Sequence, residues 1–226
     1  MAGKTYDANS ISVLEGLEAV RKRPGMYIGS VSTKGLNHLI YEIVDNSVDE
    51  FLAGYCDEIT VSLNNDGTAT ITDNGRGIPV GINKRTGKTA VEMVFTMLHA
   101  GGKFGDGGYK ISGGLHGVGA SVVNALSTWL TVTVKQGGKI YQQKYERGKI
   151  ITPLEVIGTC RKSDTGTKVQ FLPDSEIFDK TYFKAAMVRN RLHETAYLNP
   201  KLTIHYVNQR EGEETTVDYH EPEGIC

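Results

Sequence analysis

The sequence predicts an α+β fold of two layers, in which a mixed, largely antiparallel sheet carries helices on one face. Segments with strand-like alternation of apolar and polar residues occur as adjacent pairs, whereas a doubly wound parallel sheet alternates single strands with helices. Amphipathic segments with helical spacing separate these pairs. The chain has 226 residues, 39% hydrophobic and 23% charged, which is enough to bury the core of one domain.

The helices are predicted from apolar residues that recur every three or four positions. After ten polar residues, the first helix is expected at 13–23, where Pro24 and Gly25 end it. The second, at 36–53, has a continuous apolar face that includes Ser47, and Gly54 stops it. Further helices are predicted at 90–99, 120–126 and 181–197.

The strands are predicted from period-two alternation and from turn residues. The first two, at 58–63 and 68–72, flank the hairpin turn NNDG at 64–67. The acidic segment 211–226 shows no convincing element and is expected to be irregular. The remaining strands are predicted at 129–135, 139–146, 167–172 and 202–207.

Composition excludes several classes of protein. A net charge of −1 gives no electrostatic case for this chain binding nucleic acid unaided, and the basic run RKR at 21–23 is either a local patch or solvated surface. The three cysteines are widely separated, which indicates neither a disulfide framework nor a zinc site. No segment has the length and apolarity of a membrane span or signal peptide, so we expect a cytoplasmic protein without a membrane partner.

Polar residues form a stripe along the helix at 36–53. Glu42 and Asn46 are four residues apart and therefore share one face with Asp49 or Glu50. Mg²⁺ prefers oxygen ligands, and a carboxylate beside it can take a proton from an attacking water. The stripe is thus either an ordinary solvated helix face or part of a hydrolytic magnesium site.

The motif DNGRGIP at 73–79 follows the second strand directly. Its glycines allow a sharp turn and a close approach of the backbone to a ligand. The carboxylate of Asp73 can accept a hydrogen bond from the amino group of adenine, where guanine has a carbonyl. The motif is either an adenine-recognition element or a plain Asp-Asn-Gly turn.

Glycines are concentrated in GGKFGDGG at 101–108 and GGLHGVG at 113–119, just before a predicted helix. Free backbone amides at a helix N-terminus bind anions, and triphosphate is the natural ligand. The pattern matches neither a P-loop nor a Rossmann fingerprint. Its first half is either a flexible lid or a surface loop. The turn DTGT at 164–167 opens a later strand and can bring a hydroxyl near a ligand.

Four features follow one another along the chain: the acid-amide helix, DNGRGIP, the glycine-rich run and DTGT. Together they resemble the four sequence boxes of an ATPase superfamily, which includes gyrase, heat-shock chaperones, histidine kinases and MutL proteins. Three segments are similar to segments of bacterial type II topoisomerases: RKRPGMYIG at 21–29, LHAGGKF at 98–104, and residues 112–126. The resemblance covers the whole chain. It is strongest to the N-terminal ATPase domain of DNA gyrase B, with the B subunit of topoisomerase IV next, and it implies a Bergerat-type ATP-binding fold.

The resemblance implies a role for each matching residue. Glu42 would be the general base, and Asn46 would bind the Mg²⁺ that accompanies ATP. Asp73 would bind the adenine amino group, partly through a water shared with Gly77 and Thr165. The other implied contacts are Ile43, Ile78 and Pro79 near the adenine ring, Tyr109 on adenine, and Lys103 with the amides of Leu115, His116, Gly117, Val118 and Gly119 on the triphosphate.

The resemblance also implies partners and a division of the chain. Residues 1–226 would be one ATPase domain, in which an arm at 1–12 brings Tyr6 to the nucleotide of a second copy in an ATP-driven dimer. Residues 98–119 would form the lid and phosphate loop, and 211–226 would be a truncated tail leading to a transducer domain. That domain supplies a further lysine, so this chain alone is expected to hydrolyse ATP poorly.

The A subunit of gyrase and DNA are implied as partners of the full assembly, which supercoils DNA. Gln136 stands where many gyrases carry an arginine at the pocket mouth, so weaker binding of aminocoumarin inhibitors is expected. Two alternatives stay open: the B subunit of topoisomerase IV, which decatenates DNA, and a module of the same superfamily that switches on nucleotide binding without turnover.

Overall fold

The structure is a computed structural model that describes residues 16–98 and 119–222. Its elements agree in kind and order with most of the sequence prediction. The helices are α1 (Leu17–Lys22), α2 (Gly25–Ile28), α3 (Thr33–Leu52), α4 (Ala90–Thr96), α5 (Gly119–Ala125) and α6 (Ala185–Leu198). The strands are β1 (Glu58–Leu63), β2 (Ala69–Asp73), β3 (Ser127–Gln136), β4 (Lys139–Glu146), β5 (Lys149–Ile150), β6 (Glu155–Thr159), β7 (Gly166–Pro173), β8 (Thr203–Asn208) and β9 (Thr215–His220).

The strands of the described ranges form one mixed sheet. Their order is β5-β4-β3-β7-β2-β1-β8-β9, and β6 also pairs with β4. The pair β1–β8 is parallel, and every other pair between these strands is antiparallel. This arrangement confirms the predicted fold class.

The core lies between the sheet and the helices on one of its faces. Alternate residues of the strands, such as Val61, Ile71 and Val132, are fully or almost fully buried under α3, α5 and α6. From α3, Leu39 and Ile40 complete this interior with no exposed surface. Most intervening residues of the central strands, such as Thr60, Thr70 and Thr131, are polar and lie on the uncovered face, as the period of two requires.

The helix α3 is the longest described helix, with 20 residues. It begins at Thr33, earlier than predicted, with the extended Ser32 as N-cap residue, whose carbonyl accepts the Leu36 N–H at 2.9 Å. It ends where Gly54 adopts a φ of +85° and the Tyr55 N–H bonds to the Glu50 carbonyl at 3.0 Å.

The prediction of an irregular tail at 211–226 is wrong for residues 215–220, which form the edge strand β9 on β8. Half-buried and exposed side chains alternate along it, with Val217 and Tyr219 packed against the core. The acidic residues at 211–214 make the alternation at 215–220 hard to recognise in the sequence. The strand also depends on hydrogen bonds with β8. The helix predicted from 181 begins at Ala185, since the Lys184 N–H bonds to the Asn37 side chain at 3.2 Å.

Asp174, just beyond β7, joins several elements. Its side chain is fully buried, and Oδ2 accepts hydrogen bonds from Arg21 at 2.8 Å and Arg147 at 2.9 Å. Arg21, on α1, also donates to the Ala125 carbonyl at the end of α5, at 2.8 Å. Burial acts to raise the pKa of Asp174, but the Glu176 N–H and the two guanidinium groups outweigh it and hold that pKa below its usual value.

Within residues 16–98 and 119–222, no helix combines the length and apolarity that crossing a membrane requires.

Candidate functional site

Glu42 and Asn46 lie one turn apart on α3, as their spacing predicts. Glu42 is only 4% exposed, although it belongs to the polar stripe. Its Oε1 lies 2.8 Å from His38 Nε2, and its Oε2 accepts the Gly119 N–H at 3.0 Å. The Asn46 side chain is exposed. A buried carboxylate held through both oxygens is not an ordinary solvated helix face.

Gly119 connects the glycine-rich segment to this carboxylate. It is the first residue of α5 and has a φ of +75°. Of the residues expected to bind triphosphate, it alone falls within the described ranges. Outside them lie the arm residue Tyr6 and the expected lid and phosphate-loop residues Lys103, Tyr109, Leu115, His116, Gly117 and Val118.

Asp73 ends β2 and is held by three donors. Its Oδ1 accepts the N–H groups of Gly75 at 3.0 Å and Thr167 at 3.2 Å. Its Oδ2 accepts the Ser47 hydroxyl at 2.8 Å. Burial raises the pKa of Asp73, and these hydrogen bonds oppose that rise. The side chain therefore lies in a partly desolvated position where a ligand's donor gains most from an acceptor.

Two backbone segments meet at this point without room for side chains. A Cβ added at Gly166 would lie 2.0 Å from the Asp73 carbonyl oxygen, and Gly166 has a φ of +145°. A Cβ at Gly77 would lie 2.9 Å from the Lys135 carbonyl oxygen. These glycines bring the ends of β2 and β3 and the start of β7 together, which explains why Gly-x-Gly follows Asp73.

Among the expected neighbours of Asp73, Ile78 has a described contact with β7. The Ile78 N–H bonds to the Thr167 hydroxyl at 3.2 Å, which joins the turn to the start of β7 beside Thr165. Ile78 is half-buried against the core, Pro79 is exposed, and Ile43 is buried on α3.

Three contacts of the site were not predicted from the sequence: His38 on Glu42, Ser47 on Asp73, and an ion pair between Glu50 and Arg76. The Arg76 guanidinium lies 2.8 Å from Glu50 and 3.8 Å from the centre of the Tyr55 ring. The spacing of His38 and Glu42, four residues on one helix, was the one signal available. The other two contacts join residues that are distant in sequence.

Gln136 lies at the end of β3 against the same turn. Its Nε2 donates to the carbonyl oxygens of Gly77 at 3.2 Å and Arg76 at 3.3 Å. The side chain expected at the pocket mouth thus contacts the backbone of the DNGRGIP turn.

The helix α3 also carries two acids, Asp45 and Asp49, whose pKa values are raised. Burial raises the pKa of Asp49 to about 6, and the negative charges of Asp45 and Glu50 add to the rise. Burial likewise raises the pKa of Asp45, against the opposing effect of Arg191. Both shifts indicate that these two carboxylates of α3 are partly removed from solvent.

Within the described residues, no group of three or more His, Cys, Asp or Glu side chains is placed to hold a metal ion. A polar depression of about 610 Å³ on the uncovered face of the sheet contains none of the predicted site residues.

Comparison with known proteins gives consistent matches. A model of the histidine kinase-, DNA gyrase B- and HSP90-like ATPases matches residues 32–177. The DNA gyrase B subunit of Halalkalibacterium halodurans is 58% identical over 224 residues, which cover 99% of this chain and 35% of that protein. The DNA topoisomerase 4 B subunit of Staphylococcus epidermidis is also 58% identical, over 222 residues that cover 97% and 33%. The chain therefore spans about a third of the length of these relatives.

A solved structure agrees with the sequence matches. The crystal structure of the 43K ATPase domain of Thermus thermophilus gyrase B in complex with an aminocoumarin has a TM-score of 0.82 and 44% identity. The match covers 94% of this chain and 53% of that one.

Proposed function

The chain belongs to the family of histidine kinase-, DNA gyrase B- and HSP90-like ATPases, and we propose on that premise that it binds and hydrolyses ATP as a domain of DNA gyrase B. One observation carries the proposal. The helix α3 holds Glu42 against the start of α5 and, five residues later, holds Asp73 through Ser47. A single rigid element thus joins the two ends of a nucleotide site.

At the phosphate end, Glu42 is the proposed general base. Its carboxylate is buried and oriented by His38 and by the Gly119 N–H, so it can take a proton from a water without first changing its rotamer. General bases of this kind typically contribute a factor of about 10² to 10⁴ to the rate.

Mg²⁺ fits this end of the site through Asn46. Protein-bound Mg²⁺ usually keeps several waters and takes one or two protein oxygens together with phosphate oxygens. The exposed Asn46 amide, one turn from Glu42, supplies such an oxygen, and an acidic cage is not required. When bound, the ion would offset the negative charge of the phosphates.

At the base end, Asp73 is the proposed acceptor for the adenine amino group, with Gly77 and Thr165 sharing a water. Ile43, Ile78 and Pro79 are proposed to pack near the ring. Lys103, Tyr109, Gly119 and residues 115–118 remain the proposed contacts to adenine and triphosphate. Tyr6 remains the proposed contact to the nucleotide of a second copy in an ATP-driven dimer.

For the whole protein, we propose that ATP-driven dimerisation powers DNA strand passage and supercoiling. The A subunit of gyrase and DNA are the proposed partners, and the cytoplasm is the proposed location. The solved relative bound to an aminocoumarin supports this compound class as a ligand. Weaker aminocoumarin binding is proposed, because Gln136 is uncharged. The B subunit of topoisomerase IV is the second candidate, since a relative of that name has the same 58% identity as the gyrase.

The proposal predicts that Glu42→Ala in the full-length protein with its partner lowers ATP turnover at least about 100-fold, the lower limit for losing a general base. Binding of a non-hydrolysable ATP analogue should change little. Glu58→Ala, which removes an exposed acid at the start of β1, is the matched control and should retain turnover. Turnover that survives in Glu42→Ala would rule out Glu42 as the base.

A further inference from the structure

Ser47 lies within the apolar face of α3, where its sequence position indicates packing. The structure gives its hydroxyl a polar contact. The residue is 3% exposed, and its Oγ donates to Asp73 Oδ2 at 2.8 Å. A buried hydroxyl that bonds to a carboxylate at a ligand site has more than a packing role.

The hydrogen bonds on Asp73 leave a defined acceptor position. An ionised carboxylate has about four lone-pair sites, two on each oxygen. The N–H groups of Gly75 and Thr167 use both sites of Oδ1, and Ser47 uses one site of Oδ2. Among the described contacts, one site remains, and it is on the oxygen that Ser47 holds.

We propose that Ser47 is a positioning residue for adenine recognition, whose hydroxyl fixes the Asp73 carboxylate so that the remaining acceptor site of Oδ2 points in one direction. The proposal rests on the proposed function of this site. Because Ser47 is buried, it acts through Asp73 instead of touching the nucleotide.

This role has a consequence for the choice of nucleotide. The hydroxyl has a single proton and donates it to Asp73, which favours the ionised carboxylate against the effect of burial. A fixed, ionised carboxylate accepts from a 6-amino purine and repels the carbonyl oxygen of a 6-oxo purine. Loss of Ser47 should therefore weaken ATP binding more than binding of inosine triphosphate (ITP).

The test measures the binding of ATP and ITP to the chain by calorimetry, with Mg²⁺ present. Ser47→Ala should weaken ATP binding by roughly two- to tenfold, the factor that corresponds to one net hydrogen bond. ITP binding should change much less, so the ratio of the two affinities falls. Ser47→Thr keeps the hydroxyl and should restore the ratio.

Two further variants keep the test decisive. Ser127→Ala removes another fully buried hydroxyl, which donates to the Val123 carbonyl away from the site, and it should leave the ratio unchanged. If Ser47→Thr fails to fold, Ser47→Cys, with a weaker donor of similar size, should give an intermediate ratio.

The outcomes separate the two proposals. If Asp73→Asn lowers the ratio of ATP to ITP affinity but Ser47→Ala leaves it at the wild-type value, the role of Ser47 is wrong and the proposed function stands. If the wild-type chain binds ITP as well as ATP, Asp73 does not select the 6-amino group and the role of Ser47 is also wrong; a wild-type chain that binds neither nucleotide would contradict the proposed function.

Discussion

Gly166 is one of two described glycines, with Gly35, at which the fold leaves least space for a Cβ. Its φ of +145° lies outside the range of ordinary side chains, and an added Cβ would lie 2.0 Å from the Asp73 carbonyl oxygen. The obstacle is backbone, so a neighbouring rotamer change cannot relieve it. The start of β7 must move for any larger residue, and the Thr167 N–H that bonds to Asp73 would move with it.

Gly166→Ala should lower the free energy of unfolding by about 2 to 3 kcal/mol, because overpacking and backbone strain act together. It should also weaken ATP binding. Urea denaturation and calorimetry measure the two effects. Gly212→Ala is the control, since Gly212 also has a positive φ, +79°, but a Cβ added there would have no atom within 4 Å. It should cost only about 1 kcal/mol. Equal losses in both variants would contradict the steric explanation.

Single residues of the site were predicted where chemistry and local spacing coincide. Glu42, Asn46 and Asp73 are candidates because a carboxylate or amide stands at a defined point of a helix or a strand end, and only the family resemblance implies a role for each. The burial of Glu42 was not predicted, because its contact with Gly119 joins residues 77 positions apart. Ser47 was assigned to packing for the same reason, since its partner comes from another element.

At the scale of elements, α3 combines a buried face with closely spaced acids. Asp45 and Asp49 follow Glu42 along the helix, and burial raises the pKa of both Asp45 and Asp49. The folded pKa of Asp49, about 6, lies above the ordinary value of 3.8. Its ionised form is therefore disfavoured in the fold, and its contribution to stability is lost as the pH rises through about 6.

Asp49→Asn should stabilise the protein at pH 8 and have little effect at pH 4, where Asp49 is largely protonated in the fold. We expect a gain of about 1 kcal/mol at pH 8, reduced from the full shift because solvent screens a partly exposed group. Thermal unfolding at the two pH values measures it. Asp179→Asn, at an exposed position before α6, is the control and should change the stability by less than about 0.5 kcal/mol. A gain that is the same at both pH values would contradict this explanation.

Elements were predicted well where their periodicity is strong. The helix α3 and the hairpin β1–β2 follow directly from their apolar patterns and from the turn between them. The edge strands β5, β6 and β9 were missed, because an edge strand has one hydrogen-bonded neighbour and tolerates charged residues that weaken the alternation. Their formation depends on β4 and β8, which are specified elsewhere in the sequence.

At the scale of the whole molecule, Asp174 connects the first described helix to the sheet and to α5. Its two guanidinium partners come from α1 and from the turn after β4. Burial acts to raise the pKa of Asp174, but the Glu176 N–H and these two partners hold it below the usual value. The stabilisation is therefore present above the ordinary carboxyl pKa and is lost as the pH falls through the lower, folded pKa.

Asp174→Asn should lower the free energy of unfolding at pH 7 by about 2 kcal/mol, since the neutral amide loses the charge-assisted hydrogen bonds from two partly exposed arginines. The difference from wild type should shrink as the pH falls below about 4, the ordinary aspartate pKa. Chemical denaturation across this range measures both effects. Glu176→Gln is the control: its side chain is 69% exposed and lies 3.8 Å from Arg21, so a change below about 0.5 kcal/mol is expected. A constant difference at all pH values would contradict the linkage.

The helix α3 also sets the distance between Glu42 and Ser47, which stand at the two ends of the site. Five residues separate Glu42 from Ser47, which is about 7.5 Å along a helix axis, and neither end can move without the other. In the proposed function, the acceptor for adenine and the base for the terminal phosphate would therefore keep a fixed spacing. A substitution that bent α3 between them would disturb adenine recognition and hydrolysis together.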